Sequence, residues 1–170
     1  AGYLDKGGKG VIQASLDAGS FKTFYLPDGM IGDSLPKAIG KDLNGSIGTV
    51  PGTDSPGASK FNELAKANNL KAGPYTKESY DSAALIMLAM QAANSTNSND
   101  FKSKVMDVAN APGEKIFPGE LAKGLKLLSE GKEIDYVGAS AVELIGGGES
   151  AGNFAEILID NQKVTTVGYK

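Results

Sequence analysis

Two residues stand where a fold could put their chemistry to use. Tyr3 ends what reads as a truncated strand, just ahead of a helical pattern, and Asp28 closes the next strand in the tight turn Pro27-Asp28-Gly29. In parallel α/β sheets ligands bind at the C-terminal ends of strands, because the loops there converge on a crevice. Taken alone, an Asp before Gly is more often only a turn former, and the same caution covers a lone Tyr. Motifs for covalent chemistry fail on spacing. Gly7-Gly8-Lys9-Gly10 has Tyr3 where a phosphate loop needs its first Gly, and Gly10 where it needs Ser or Thr. Ser129 and Lys132 make a Ser-x-x-Lys pattern, but the Lys lies past Gly131 at a helix end. Gly138-Ala139-Ser140 lacks the closing Gly of a nucleophile elbow. The glycine run from Gly146 to Gly152 misses the dinucleotide fingerprint by one residue and sits between strands.

The elements that must position these residues alternate. Val11, Ile12, Ser15 and Leu16 recur at helical spacing within Lys6 to Ala18, and Gly19 stands where a helix stops. Phe21 to Leu26 reads as a strand. A short helix follows, opened by Asp33 or Ser34 with Pro36 in its first turn, and then a second strand from Ser46 to Val50. Helix, strand, helix, strand predicts α/β units around a mainly parallel sheet. The polar stretch Thr53 to Gly57 reads as a crossover between lobes. Helices are expected from Ala58 to Asn68 and from Ser79 to Ala93, the latter apolar on nearly all sides and so buried on nearly all sides. Ser98 or Asn99 caps the next helix, Ala111-Pro112-Gly113 ends it, and another runs from Glu120 to Leu128. Ser140 to Ile145 and Phe154 to Ile159 are β-rich, and Asp160-Asn161-Gln162-Lys163 turns a hairpin into Val164 to Val167.

Composition narrows the function classes. The sequence has 170 residues with no Cys, no His and no Trp, and all 17 cationic side chains are Lys. Thiolate metal sites, Cys nucleophiles and His-based triads are excluded, and so is the bidentate guanidinium fork for carboxylates and phosphates. A net charge of −3 and a pI near 5.0 argue against a nucleic-acid surface. Acidic pairs lack the spacing of an acid/base couple. No catalytic residue, metal or cofactor is therefore expected.

On its ordered blocks the chain resembles the Leu/Ile/Val-binding protein family, the type I periplasmic receptors of amino-acid ABC transporters. The blocks are AGYLDKGG, DAGSFKTFYLPDG, LNGSIGTVPGTDSPGASKF, ESYDSAALIMLAMQAA and PGELAKGLKLLSEGKEIDYVGAS, followed by the final strands. The resemblance implies an α/β type I periplasmic-binding fold of two Rossmann-like lobes, with only the C-terminal half present. Residues 1–50 then belong to lobe two, 51–139 to lobe one, and 140–170 return to lobe two.

It further implies an extracytoplasmic solute-binding component of an importer, not an enzyme, that traps an amino acid as the lobes close. Three family ligand positions fall on Tyr3, which covers the ligand, Asp28, which pairs with its α-ammonium, and Tyr75, near its side chain. Asp is shorter than the Glu of some members, and the Tyr75 hydroxyl favours a more polar ligand side chain than leucine. The implied partners are the amino acid, a membrane permease and the missing N-terminal half, supplied by the same protein or by a complementing chain. The implied location is the periplasm, or the cell exterior with a lipid anchor in a Gram-positive source. A sensory or regulatory domain of the same fold is the alternative.

Overall fold

The computed structural model describes residues 2–170, which divide into two compact units, residues 2–52 with 153–170 and residues 53–152. In the first unit Leu4–Gly8 form a wide turn, kinked at Gly7 (φ 92°), in which the Lys6 and Gly8 amides both donate to the Tyr3 carbonyl at 3.1 Å. Helix α1 follows at Lys9–Asp17, and its Ile12 is buried. Strand β1 is only Tyr25–Leu26, shorter than the predicted Phe21–Leu26, because its pairing with β2 (Ile47–Pro51) starts at Tyr25 opposite Ile47. Between them lie a 3₁₀ turn at Asp28–Met30, helix α2 at Ser34–Ile39 and a second 3₁₀ turn at Gly40–Leu43. The Asp33 side chain makes no capping bond to α2.

The second unit opens with helix α3 (Pro56–Ala67), two residues earlier than the periodicity predicts. The Ser55 hydroxyl caps it, accepting from the Ala58 amide at 3.2 Å, and Pro56 takes the first turn, where its missing N–H costs nothing. Helix α4 (Thr76–Ala93) is the longest. Asp81, Ala84, Leu85, Leu88 and Ala89 form its buried stripe, while Ile86 and Met87 on the other side are 44% and 43% exposed. The expectation of burial on nearly all sides is thus corrected: α6 and α7 pack on one side of α4. Asn97, rather than Ser98 or Asn99, caps the next segment, its side chain accepting from the Asn99 amide, and this segment is split into α5 (Ser98–Phe101) and α6 (Lys104–Ala109).

Strand β3 (Glu114–Ile116), helix α7 (Leu121–Ser129) and strand β4 (Ile134–Tyr136) then form a parallel βαβ unit. Its core is Leu85, Leu88, Val108, Ile116, Ile134 and Tyr136. A small hairpin, β5 (Leu144–Gly146) with β6 (Glu149–Ser150), completes the unit. Residues 140–152 lie in the second unit. The Asn110 side chain clamps them, donating to the Leu144 carbonyl at 2.7 Å and accepting from the Leu144 amide at 2.9 Å.

The chain re-enters the first unit as β7 (Phe154–Asp160) and β8 (Lys163–Tyr169), giving the sheet order β1-β2-β7-β8. β1 and β2 are parallel, whereas β7 runs antiparallel to both β2 and β8. Ala155, Ile157 and Ile159 alternate into the core with Leu26, Ile31, Leu35 and Leu43. Asn161 and Gln162 both have positive φ, 48° and 60°, the geometry of a two-residue type I′ hairpin. Gln162 is the wrong residue type for that conformation, which costs an L-residue about 1–2 kcal/mol. Gln162→Gly relieves it while keeping the amide that donates to the Asn44 side chain at 3.1 Å. After the entropy cost of Gly, we expect a net gain of about 0.5–1 kcal/mol. Thermal melting checks this, and an unchanged or lower Tm would refute the hairpin geometry.

Candidate functional site

In the first unit, the Tyr3 ring approaches Gly29, the neighbour of Asp28, because no side chain stands at Gly29. A Cβ on Gly29 would stand 2.7 and 2.9 Å from the Tyr3 ring and 3.0 Å from the Gly2 carbonyl. With only hydrogen there, the Tyr3 ring lies against the turn that carries Asp28, at the C-terminal end of β1. The turn is closed by its own backbone, the Met30 amide donating to the Pro27 carbonyl (2.8 Å) and the Ile31 amide to the Asp28 carbonyl (3.0 Å). The Asp28 carboxylate accepts from the Gly29 amide through Oδ1 at 2.6 Å, which fixes its direction and leaves Oδ2 for a further donor. Asp28 is exposed, and Tyr3 is 67% exposed. An anion and a phenol thus share one solvent-facing strand end, an arrangement that can hold a small cation with a flat cover.

Tyr75 belongs to the second unit. It stands at the head of α4 in the left-handed region (φ 63°), its carbonyl accepting from the Ser79 amide at 2.9 Å, and its side chain is exposed.

The polar centre of the second unit escaped the sequence reading. Asp81 on α4 is 2% exposed, and its carboxylate is surrounded by donors. The Tyr136 hydroxyl donates at 2.8 Å, the Ala139 amide at 2.8 and 3.0 Å to the two oxygens, and the Ser140 amide and hydroxyl at 2.7 and 2.6 Å. Burial, and then the adjacent Asp81 charge, hold the Tyr136 phenol far above the usual tyrosine range, so it remains a donor. The segment after β4 is thereby fixed at the C-terminal end of its strand. Its Gly138 carbonyl lies so close to Gly57, in the first turn of α3, that any side chain at Gly57 would collide with it. A signal was available. Asp81 falls on the i, i+3, i+4, i+7 stripe of an apolar helix, where a charge needs partners.

The motif candidates are occupied otherwise. Lys9 pairs with Asp5 at 3.0 Å, Ser129 donates to the Lys126 carbonyl, and Lys132 pairs with Glu130 at 2.7 Å. The Ser140 hydroxyl gives its proton to the Asp81 hydrogen bond. No helix among the described residues is long and apolar enough to cross a membrane.

Two α/β units, with the chain passing from one to the other after Gly52 and back after Gly152, each with a parallel strand pair flanked by helices, define the class as the type I periplasmic-binding-protein fold, present in part. The particular likeness is to the crystal structure of a leucine-binding protein, LivK, from Thermotoga maritima, with a TM-score of 0.68 and 16% identity over 95% of this chain and 41% of that one. The chain therefore spans about two fifths of the length of the protein it matches. No family model matches the sequence, and neither does any curated protein.

Asp81→Asn keeps the size but removes the charge and puts an NH₂ against donors. We expect it to destabilise the second unit by about 2–4 kcal/mol. Tyr136→Phe, which removes one donor of several, should cost about 1–2 kcal/mol. Urea unfolding, with hydrogen exchange at the Ala139 and Ser140 amides, orders the two. Equal stability of Asp81→Asn and the parent would overturn this account of the cluster.

Proposed function

We propose that the whole protein to which this chain belongs is the extracytoplasmic solute-binding component of an ABC importer. It captures an amino acid, branched-chain or related, and releases it unchanged. The observation that carries the reading is the exposed Asp28 carboxylate at the end of β1, in the turn against which the Tyr3 ring lies, in a fold similar to that of a leucine-binding protein. Asp28 receives the ligand's α-ammonium on the oxygen that the Gly29 amide leaves open. A carboxylate closed away from water makes a charge-assisted bond to an ammonium, about twice the strength of a neutral one. Tyr3 covers the ligand, and Tyr75 stands by its side chain. The partners are a membrane permease and the N-terminal half of the receptor, and the location is the periplasm or, with a lipid anchor, the cell exterior. Residues 1–50 and 140–170 are assigned to lobe two of that receptor and 51–139 to lobe one, and two compact units parting at Gly52 and Gly152 accord with a chain that crosses and returns.

Nothing in this role asks for a nucleophile or a proton shuttle, which accords with a sequence without His or Cys. Calorimetric titration of the whole protein with the standard amino acids tests the reading. One or more should bind, and Asp28→Asn should weaken that binding about thirtyfold or more, since removing one partner of a desolvated charge pair costs roughly 2–5 kcal/mol. Silence across the panel would remove the proposal, and binding unaffected by Asp28→Asn would remove the role of Asp28.

A further inference from the structure

We infer that Asn44 is a site of spontaneous deamidation gated by the β7–β8 hairpin, so that its modification reports the opening of that hairpin. Asn44 is the one asparagine of the sequence that is followed by glycine. The chemistry needs no partner but water. The Gly45 nitrogen loses its proton and bonds to the Asn44 Cγ, the side-chain nitrogen leaves as ammonia, and water opens the resulting succinimide to aspartate or isoaspartate. Glycine favours the step because it puts no side chain beside the attacking nitrogen. The sequence thus supplies the reactive pair, and the fold decides when it reacts.

Three restraints in the first unit hold that pair apart. The Gly45 amide donates to the Ile159 carbonyl at 2.9 Å, which retains the proton that the attack must lose. The Asn44 Oδ1 accepts from the Gln162 amide at 3.1 Å, which pins the side chain. Ring closure also requires the Gly45 nitrogen to lie close to the plane of the Asn44 Cα–Cβ bond. The extended ψ of 139° at Asn44 turns it well out of that plane. Gly45 is exposed and Asn44 half-buried, so water reaches the turn, and hydrogen bonding rather than burial withholds the reaction.

Both bonds end on one element. Ile159 lies in β7 and Gln162 in the turn that joins it to β8, so a single local opening releases the nucleophile and the electrophile together. The same turn ties the sheet. The Ser46 hydroxyl accepts from the Phe24 amide at 3.2 Å, and the Ser46 carbonyl accepts from the Ile159 amide at 2.8 Å. Isoaspartate carries the main chain through Cβ and lengthens it by a methylene, which displaces these groups from the partners they hold.

Peptide mapping by mass spectrometry tests the inference on the unmodified whole protein, incubated at neutral pH in buffer and in unfolding guanidinium chloride. In the denaturant Asn44 should convert faster than any other asparagine. In buffer it should convert at least about tenfold more slowly than in the denaturant, because only the open fraction reacts. Ile159→Ala removes buried packing from the hairpin. It should speed both the conversion and the hydrogen exchange of the Gly45 amide, by the same factor. Equal rates in buffer and denaturant, or no conversion in the denaturant, would overturn the inference. So would faster Gly45 exchange in Ile159→Ala with conversion unchanged. Should that variant fail to fold, the comparison of buffer with denaturant decides alone.

Discussion

The second unit is organised by one buried anion. Taking a carboxylate out of water costs several kcal/mol even after the protein relaxes. Asp81 offsets that cost only because donors from three places meet it: a phenol from β4, two backbone amides from the segment beyond it, and the hydroxyl of Ser140. The same bonds tie α4 to the end of β4 and hold the Gly138 carbonyl against the first turn of α3. Phe61 of α3 and Tyr80 of α4 then meet edge to face at 5.2 Å, and the Tyr80 hydroxyl accepts from the Gly119 amide. A hydrophobic core alone would permit these helices to slide, whereas a fully bonded carboxylate fixes their register, because any shift strands a buried charge.

The first unit solves a different problem. Its sheet is covered on one side by α1 and α2, and the strand end that carries Asp28 is shaped by glycine and backbone bonding instead of by packed side chains. The Gly29 amide directs one carboxylate oxygen, and the Tyr3 ring settles where Gly29 leaves room. The geometry is therefore set by the chain itself, the condition that lowers the ordering cost of the proposed capture.

Much of this was legible in the residues. Gly19 and Gly131 punctuated helices, the polar stretch around Ser55 marked the passage between units, and Asp160 to Lys163 announced a hairpin that formed. The place of Asp28 just past β1 followed from reading it as a strand end. What stayed hidden was short or non-local. β3 and β4 have three residues each, with charged Glu114, Lys115 and Asp135 among them, too few to display a period of two. The clamp of Asn110 on Leu144 spans 34 positions, and the bonds to Asp81 span 55 to 59, distances over which no local pattern carries information. Tyr75 emerged from family resemblance alone, since a lone aromatic before a helix says nothing of its use.

The connection between the units bears on how the protein is made. Pro51 pairs with Phe154, and the Gly52 amide donates to the Asn153 carbonyl at 3.0 Å, so the second unit departs and returns through adjacent points of one sheet. β7 is the interior strand that separates β2 from β8, yet it comes from the final stretch of the sequence. During synthesis the contiguous unit of about one hundred residues emerges whole and can fold as the ribosome proceeds, as domains generally do. The first unit must wait, its apolar strands β1 and β2 unsealed until β7 and β8 are released. A ribosome stalled shortly before Phe154 therefore carries a finished insert on an unfinished host, and that is the moment at which a chaperone has most to shield.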